Sequence, residues 1–166
     1  MQAAGILGLA CPYSILWTHS PPGLVVAVGL PIPHMNRADL QLLVDARLAD
    51  ADVLLNAQRW PGAYYLLGYA VECGLKVCAA RQFRQDEVPE REVVRDFYTH
   101  RLDKLLQVSG VKPAFEERAR KERAFQANWN TIRDWNEDSR YDHSTTKAKA
   151  LDMRLAVADP TSGVLS

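Results

Sequence analysis

The sequence predicts an all-α protein, an up-and-down bundle of four or five helices. Apolar residues recur at helical spacing through residues 36–158, and no stretch alternates in the manner of a strand. One long segment, residues 60–81, is apolar almost all the way round a helical wheel. A helix of that kind must be buried on most sides, so we expect this segment to be the central helix.

Composition narrows the class of protein. The 166 residues suit one domain, or one domain with an extension, and 48% hydrophobic residues are enough for a single core. Twenty basic residues balance twenty acidic ones, so no net charge points to nucleic acid or a membrane as partner, although a local patch is compatible with this balance. Three scattered cysteines form no disulfide framework, which predicts a cytoplasmic protein.

Residues 1–34 differ from the remainder. They contain no Lys, Arg, Asp or Glu, but five of the nine prolines and four of the nine glycines. A secretory signal would need a basic start, and the prolines interrupt any membrane-spanning helix. We expect an apolar leader that is disordered or not normally translated, with Met35 as an alternative start. The helical domain is then predicted to comprise residues 35–166.

The first two helices have clear boundary signals. Asn36 can cap the first helix, Asp39 falls in its first turn, and the helix is expected to end near Gln58. Pro61 suits the first turn of the second helix. Because the connection is short, the two helices should be antiparallel neighbours. The apolar positions of the first helix are Leu40, Leu43, Val44, Leu48, Ala51, Leu54 and Leu55.

The later segments carry weaker signals. Residues 90–98 can form one or two helical turns, and Thr99 is expected to cap a third helix that Gly110 stops. Pro113 opens a fourth helix that runs to Trp135.

A loop at residues 136–143 follows, and a fifth helix is predicted for residues 145–158. The residues expected to face inward are Phe115, Ala119, Phe125, Trp129 and Ile132 in the fourth helix, and Ala148, Leu151, Leu155 and Ala156 in the fifth.

Three stretches resemble the HEPN domain family in order and spacing: GAYYLLGYAVECGLK, THRLDKLLQVSGV and SRYDH. The preceding ADLQLLVDARLADADVLLNAQRW is similar to the first helix of that family, and the resemblance covers residues 38–158. It implies a bundle that dimerises, that is common in toxin–antitoxin and defence systems, and that is often encoded beside a small nucleotidyltransferase. Many members are metal-independent ribonucleases whose Arg-x4–6-His motif assembles across a dimer, whereas others are non-catalytic binding or partner subunits.

Metal-free RNA cleavage needs a base for the 2′-hydroxyl proton and a cation for the charged phosphorane, which histidine and arginine can supply. Arg95 and His100 match the family spacing. In the alternative interpretation, His100 packs or caps at a helix start while Arg95 is solvated.

Arg140 and His143 lie nearer to the expected functional loop, but only two residues separate them. A nuclease could use them with Tyr141 if the loop brings the three together. In the alternative interpretation, Arg140 pairs with a carboxylate of the bundle such as Glu72, and Tyr141 packs against the bundle.

A narrow polar stripe runs along the second helix through Tyr65, Tyr69, Glu72 and Lys76. It can line a groove in which tyrosines stack on bases and Lys76 contacts phosphate. It can also be a helix–helix or dimer seam with an internal ion pair, which the sequence favours.

Two functional hypotheses follow. The first is a HEPN-like dimerising subunit that binds RNA, a nucleotide or a nucleotidyltransferase partner. The second is a metal-independent ribonuclease, plausible as a toxin, that uses Arg95 with His100 or Arg140 with His143. The sequence has no glycine-rich phosphate loop and no metal-ligand spacing, so no cofactor or metal is predicted.

Overall fold

A computed structural model describes residues 35–84 and 87–166. The prediction of an all-α bundle is confirmed in this part of the chain, and the predicted leader lies outside it, so the boundary at residue 35 stays a prediction. The helices are α1 (Arg37–Asn56), α2 (Trp60–Ala80), α3 (Arg91–Phe97), α4 (Leu102–Val108), α5 (Lys112–Lys121), α6 (Arg123–Ile132) and α7 (Lys147–Ala158), with a 3₁₀ helix at Glu137–Tyr141.

Helix α1 begins where its capping residues predict. The Asn36 side chain accepts hydrogen bonds from the backbone N–H groups of Ala38 and Asp39, and the Asp39 carboxylate accepts from the backbone N–H of Asn36. Both ends of this capping box satisfy N–H groups that have no partner within the helix. The predicted start of α1 is therefore confirmed, and its end at Asn56 lies within two residues of the prediction.

Helix α2 is the central helix of the bundle, as its apolar circumference predicts. It packs against α1, α4, α7 and the 3₁₀ helix. Eleven of its 21 residues are buried: Ala63, Tyr64, Leu67, Gly68, Ala70, Val71, Glu72, Cys73, Leu75, Val77 and Ala79.

Gly68 allows the closest side-chain approach to α2. A Cβ at this position would lie 2.3 Å from three atoms of the Trp135 indole ring, so the ring occupies the space of the missing side chain. Trp135 is 2% exposed and follows α6. The contact fixes the start of the 136–143 segment against α2.

The predicted fourth helix is two helices, which corrects the sequence analysis. Glu122 adopts extended backbone angles, φ −116° and ψ 98°, and separates α5 from α6. The ten residues between Phe115 and Phe125 correspond to about 1000° of helical rotation, so one continuous helix would put the two rings about 80° apart. The break lets both rings meet, with centroids 4.8 Å apart.

Of the four residues of α7 predicted to face inward, Ala156 does so and the other three do not. Ala150, Met153, Ala156 and Val157 are buried, whereas Ala148, Leu151 and Leu155 are exposed. Apolar residues lie on both faces of this helix, so periodicity alone could not select the inner one. Tertiary contacts set its rotation, including a two-point ion pair in which the Arg154 Nε and Nη2 groups donate to the Asp52 carboxylate at 2.6 and 3.0 Å.

The third predicted helix also begins later than expected. Thr99 does not cap it, because α4 starts at Leu102 and the Thr99 hydroxyl accepts from the Arg101 backbone N–H instead. Gly110 follows the helix with a positive φ of 73°, as a helix stop requires. Across the described ranges, no helix combines the length and apolarity needed to cross a membrane.

Candidate functional site

A buried carboxylate is the centre of the candidate site. Glu72 is 1% exposed, and its Oε1 atom accepts a hydrogen bond from the Lys76 ammonium at 2.7 Å. The Nδ1 atom of His100 lies 3.0 Å from each of the two carboxylate oxygens. Buried carboxylates are costly unless they are paired and hydrogen-bonded, and these two partners meet that requirement.

Two elements bring these three groups together. Helix α2 places Glu72 and Lys76 one turn apart on the same side, as the i,i+4 spacing predicts. His100 lies in the short segment between α3 and α4, and its contact with Glu72 joins residues 28 apart in sequence. The imidazole therefore ties the α3–α4 connection to the central helix.

His100 combines a fixed ring with access to solvent. Its side chain is 43% exposed, although the carboxylate that holds it is almost fully buried. The second ring nitrogen, Nε2, makes no hydrogen bond to any residue of ranges 35–84 and 87–166. A ligand can thus reach an imidazole whose orientation is already set.

Two tyrosines continue the same stripe of α2 towards its start. The rings of Tyr65 and Tyr69 are stacked, with centroids 6.1 Å apart and planes 8° from parallel. Tyr65 also contacts Trp135 at a centroid distance of 6.0 Å. We call the surface formed by Tyr65, Tyr69, Glu72, Lys76 and His100 the tyrosine–histidine face.

Helix α1 adds a cation to this face. The Arg47 guanidinium lies 5.8 Å from the centre of the Tyr69 ring, and it also donates to the Asp50 carboxylate at 2.8 Å. Burial is the largest cause that raises the pKa of the Tyr69 hydroxyl, and the neighbouring Cys73 and Glu72 raise it further. Arg47 lowers this pKa by a smaller amount. Tyr69 is therefore a neutral aromatic surface at physiological pH, and sequence analysis did not identify Arg47 as its neighbour.

Cys73 lies beside the face but does not supply a nucleophile. Burial raises the pKa of its thiol to about 11. Thiols react as thiolates, so this cysteine is inert at neutral pH.

Arg95 and His100 make no hydrogen bond to each other within the described ranges. Arg95 is 68% exposed and donates to the carboxylate of its neighbour Asp96 at 3.2 Å, while His100 binds Glu72. Their solvated and packed positions agree with the alternative interpretation of that motif.

The second predicted pair lies on the exposed segment after α6, whose 3₁₀ helix packs against α2. Arg140 lies 4.8 Å from the ring centre of Tyr141, which is 73% exposed, and the exposed His143 makes no hydrogen bond within the described ranges. The expectation that Arg140 pairs with Glu72 is wrong, because Lys76 and His100 occupy that carboxylate. The expected packing of Tyr141 is also wrong.

Asp142 organises this loop, a role that sequence analysis missed. Its carboxylate accepts from the Ser144 hydroxyl at 2.6 Å, the Ser144 backbone N–H at 2.8 Å and the Thr145 hydroxyl at 3.0 Å. These hydrogen bonds lower the pKa of Asp142 to about 2, because they favour the ionised form. The D-x-S-T pattern before a helix could have indicated this turn.

An open groove of about 990 Å³ lies between α4, α5, α6 and the loop that follows. Its lining includes four basic and five acidic side chains, with Phe115, Trp129 and Trp135 among the apolar residues. The charge is balanced, so this groove lacks the basic excess that would attract a phosphate backbone.

Neither the positions of potential metal ligands nor comparison with known proteins assigns a function to this site. Among the residues placed in the structure, no three His, Cys, Asp or Glu side chains converge as they would around a metal ion. No protein-family model, curated protein or solved structure gives a significant match to the chain. The likeness to the HEPN family therefore stays a resemblance.

Proposed function

We propose that this chain is a HEPN-like subunit that binds RNA or a nucleotide on its tyrosine–histidine face. One observation carries the proposal: a stacked, partly buried tyrosine pair and a 43% exposed imidazole held by Glu72 lie along one side of α2. Single-stranded nucleic acids bind where aromatic rings stack on bases beside cationic groups.

Each part of the face matches one part of a nucleotide. Tyr65 and Tyr69 pack partly against the core, and the exposed part of their rings is the apolar surface on which a base would stack. The Arg47 guanidinium beside Tyr69 supplies positive charge for a phosphate. His100 offers Nε2 for a hydrogen bond to the sugar.

The test is fluorescence anisotropy of the full chain with a labelled single-stranded RNA of mixed sequence, with AMP as competitor. Tyr69→Ala should weaken binding by roughly 5- to 150-fold, because base–aromatic stacking contributes about 1–3 kcal/mol per base. The matched control is Tyr98→Ala, which removes a 73% exposed tyrosine outside the face and should leave binding unchanged.

Equal losses in the two tyrosine variants would contradict the assignment of the face. Failure of both RNA and AMP to bind to the wild-type chain would contradict the function itself. Displacement of RNA by AMP at comparable concentration would identify a nucleotide site rather than an extended RNA track.

A second candidate function is metal-independent RNA cleavage, which the Glu72–His100 contact favours. A carboxylate that binds one nitrogen of an imidazole orients the other for proton transfer, as in hydrolase triads. His100 would take the 2′-hydroxyl proton as that oxygen bonds to the adjacent phosphorus, and the 5′-oxygen would leave and take a proton from water. The cation that the phosphorane needs would come from Arg95 or Arg140 of a second copy of the chain.

Cleavage of single-stranded and structured RNAs in the presence of a chelator tests this candidate. Loss of cleavage in His100→Ala, but not in His143→Ala, is expected if His100 is the base. Loss in Arg140→Ala as well would assign the cation to Arg140 rather than to Arg95. Equal activity in all four proteins would mean that another site or a contaminant cuts the RNA.

The homodimer that the HEPN resemblance implies also belongs to the proposal. Exposed apolar side chains on two helices support it: Leu42 and Val53 on α1, each 67% exposed, and Leu155 on α7, 60% exposed. Light scattering after size exclusion should give twice the 18.6 kDa chain mass. A monomer at all concentrations would contradict it.

A small nucleotidyltransferase is the partner proposed for the toxin–antitoxin role, and copurification from coexpressing cells tests that pairing.

A further inference from the structure

We propose that Glu72 and Lys76 fix His100 as the Nδ1–H tautomer, so that its Nε2 atom accepts a hydrogen bond from a ribose 2′-hydroxyl. This inference rests on the proposed binding of RNA or a nucleotide, and it specifies ribose over deoxyribose. Glu72 and Lys76 act here as positioning residues, through His100.

The tautomer follows from the hydrogen-bond inventory of the cluster. An ionised carboxylate can only accept, and both oxygens of Glu72 lie 3.0 Å from the Nδ1 atom of His100. The Nδ1 atom must therefore carry the proton. In a neutral imidazole the other nitrogen, Nε2, is then an acceptor.

Lys76 keeps this arrangement neutral in total charge. Its ammonium lies 2.7 Å from Glu72 Oε1 and is 14% exposed, so one positive charge already balances the carboxylate. A doubly protonated His100 would add a second positive charge to the same buried partner. With a neutral imidazole, the cluster of carboxylate, ammonium and imidazole carries no net charge.

An acceptor at Nε2 selects the group that it can bind. Phosphate oxygens are acceptors and need donors, so a neutral His100 in this tautomer is a poor phosphate contact. A 2′-hydroxyl is a donor, and it is the group by which proteins distinguish RNA from DNA. The 43% exposure of the His100 side chain gives such a ligand access.

Replacement of Glu72 by glutamine should reverse the tautomer. Lys76 can only donate, so it should retain the amide oxygen, and the amide NH₂ group then faces His100. Nδ1 becomes an acceptor of that N–H, and the proton moves to Nε2. Glu117→Gln makes the same chemical change at a carboxylate that is 50% exposed, and is the matched control.

The first measurement is the ¹⁵N–¹H spectrum of the histidine rings in the full wild-type chain at about pH 8, above the ordinary histidine pKa of roughly 6.5. His100 signals are assigned by their loss in His100→Gln. We expect the Nδ1–H pattern for His100 and the mixed pattern of a free imidazole for the exposed His143. An Nε2–H or doubly protonated His100 in the wild-type chain would overturn the inference.

The second measurement compares binding of one sequence as RNA and as DNA. Loss of one neutral hydrogen bond should make wild-type binding of the DNA about 2- to 10-fold weaker. Glu72→Gln should abolish the preference, and Glu117→Gln should keep it. Equal binding of RNA and DNA by the wild-type chain would overturn the ribose contact.

The wild-type measurements decide the inference even if Glu72→Gln fails to fold. Absence of binding to either oligonucleotide would refute the proposed function and the ribose contact together, while the ring spectrum still decides the tautomer. An Nδ1–H tautomer that persists in a folded Glu72→Gln variant would refute the positioning role.

Discussion

The stability of the buried Glu72–Lys76 pair should depend on both partners. Glu72→Met leaves an ammonium that is 14% exposed without its carboxylate. Breaking a buried pair from one side costs about 3–5 kcal/mol, and the residual exposure of Lys76 places the expected loss near about 3 kcal/mol. Lys76→Met should cost at least as much, because it leaves the 1% exposed Glu72 carboxylate without its balancing positive charge.

The double variant Glu72→Met/Lys76→Met completes a double-mutant cycle. Two methionines of similar volume leave no unpaired charge, and such replacements of buried ion pairs are often neutral or stabilising. The double variant still lacks the hydrogen bond between Glu72 and His100, so we expect it to lose about 1–3 kcal/mol, well below the sum of the two single losses. The two single losses should therefore be strongly non-additive.

Urea unfolding of the full chain, followed by far-UV circular dichroism, measures all four free energies of unfolding. Glu117→Met is the matched control, because this carboxylate is 50% exposed in its pairs with Arg120 and Lys121 and should contribute only about 0–1 kcal/mol. The reasoning is refuted if Glu72→Met costs no more than the control, or if the double variant loses the sum of the single effects.

Two further predictions concern packing and pH. Gly68→Ala should destabilise the chain by about 1–2 kcal/mol, because overpacking against Trp135 costs about 1–3 kcal/mol or more and alanine returns at most about 1 kcal/mol of helix propensity. Gly74→Ala should be near neutral in the same urea assay, since its Cβ meets only a leucine methyl at 2.8 Å; equal losses would contradict the contact. Asp142→Asn should lower the free energy of unfolding, and the full loss should be seen above about pH 5. The loss should disappear as the pH falls from 3.8, the ordinary pKa of aspartate, towards about 2, the lowered pKa of Asp142. Urea unfolding of both proteins across this pH range measures the loss. A loss that does not change with pH would contradict the role of the Asp142 carboxylate in the loop.

The sequence predicts those features that depend on neighbouring residues. The capping box of Asn36 and Asp39 and the burial of α2 need only local spacing and helical periodicity, and the structure contains both. The pairing of Glu72 with Lys76 also follows from one helical turn.

Helix rotation was predictable only where one face was clearly more apolar. Helix α7 has apolar residues on both faces, and its rotation depends on contacts such as that of Arg154 with Asp52, 102 residues away. The break at Glu122 lies in a run of charged residues. This run has no apolar periodicity that could reveal a change of direction, so the sequence offered no reason to divide the helix.

The candidate site was predictable in part for the same reason. The stripe of Tyr65, Tyr69, Glu72 and Lys76 is local to α2, whereas the contact of His100 with Glu72 spans 28 residues. The side chain predicted to reach that carboxylate was Arg140, from a loop whose geometry periodicity does not determine.

The most direct test of the tyrosine–histidine face is a titration of single-stranded RNA into the isotope-labelled full chain, followed by the ring signals of its tyrosines and histidines. Binding on the face should shift the signals of Tyr65, Tyr69 and His100, and leave those of the exposed Tyr98 and His143 unchanged. Shifts confined to Tyr98 and His143, or no shifts at RNA concentrations that saturate binding, would contradict the assignment of this surface.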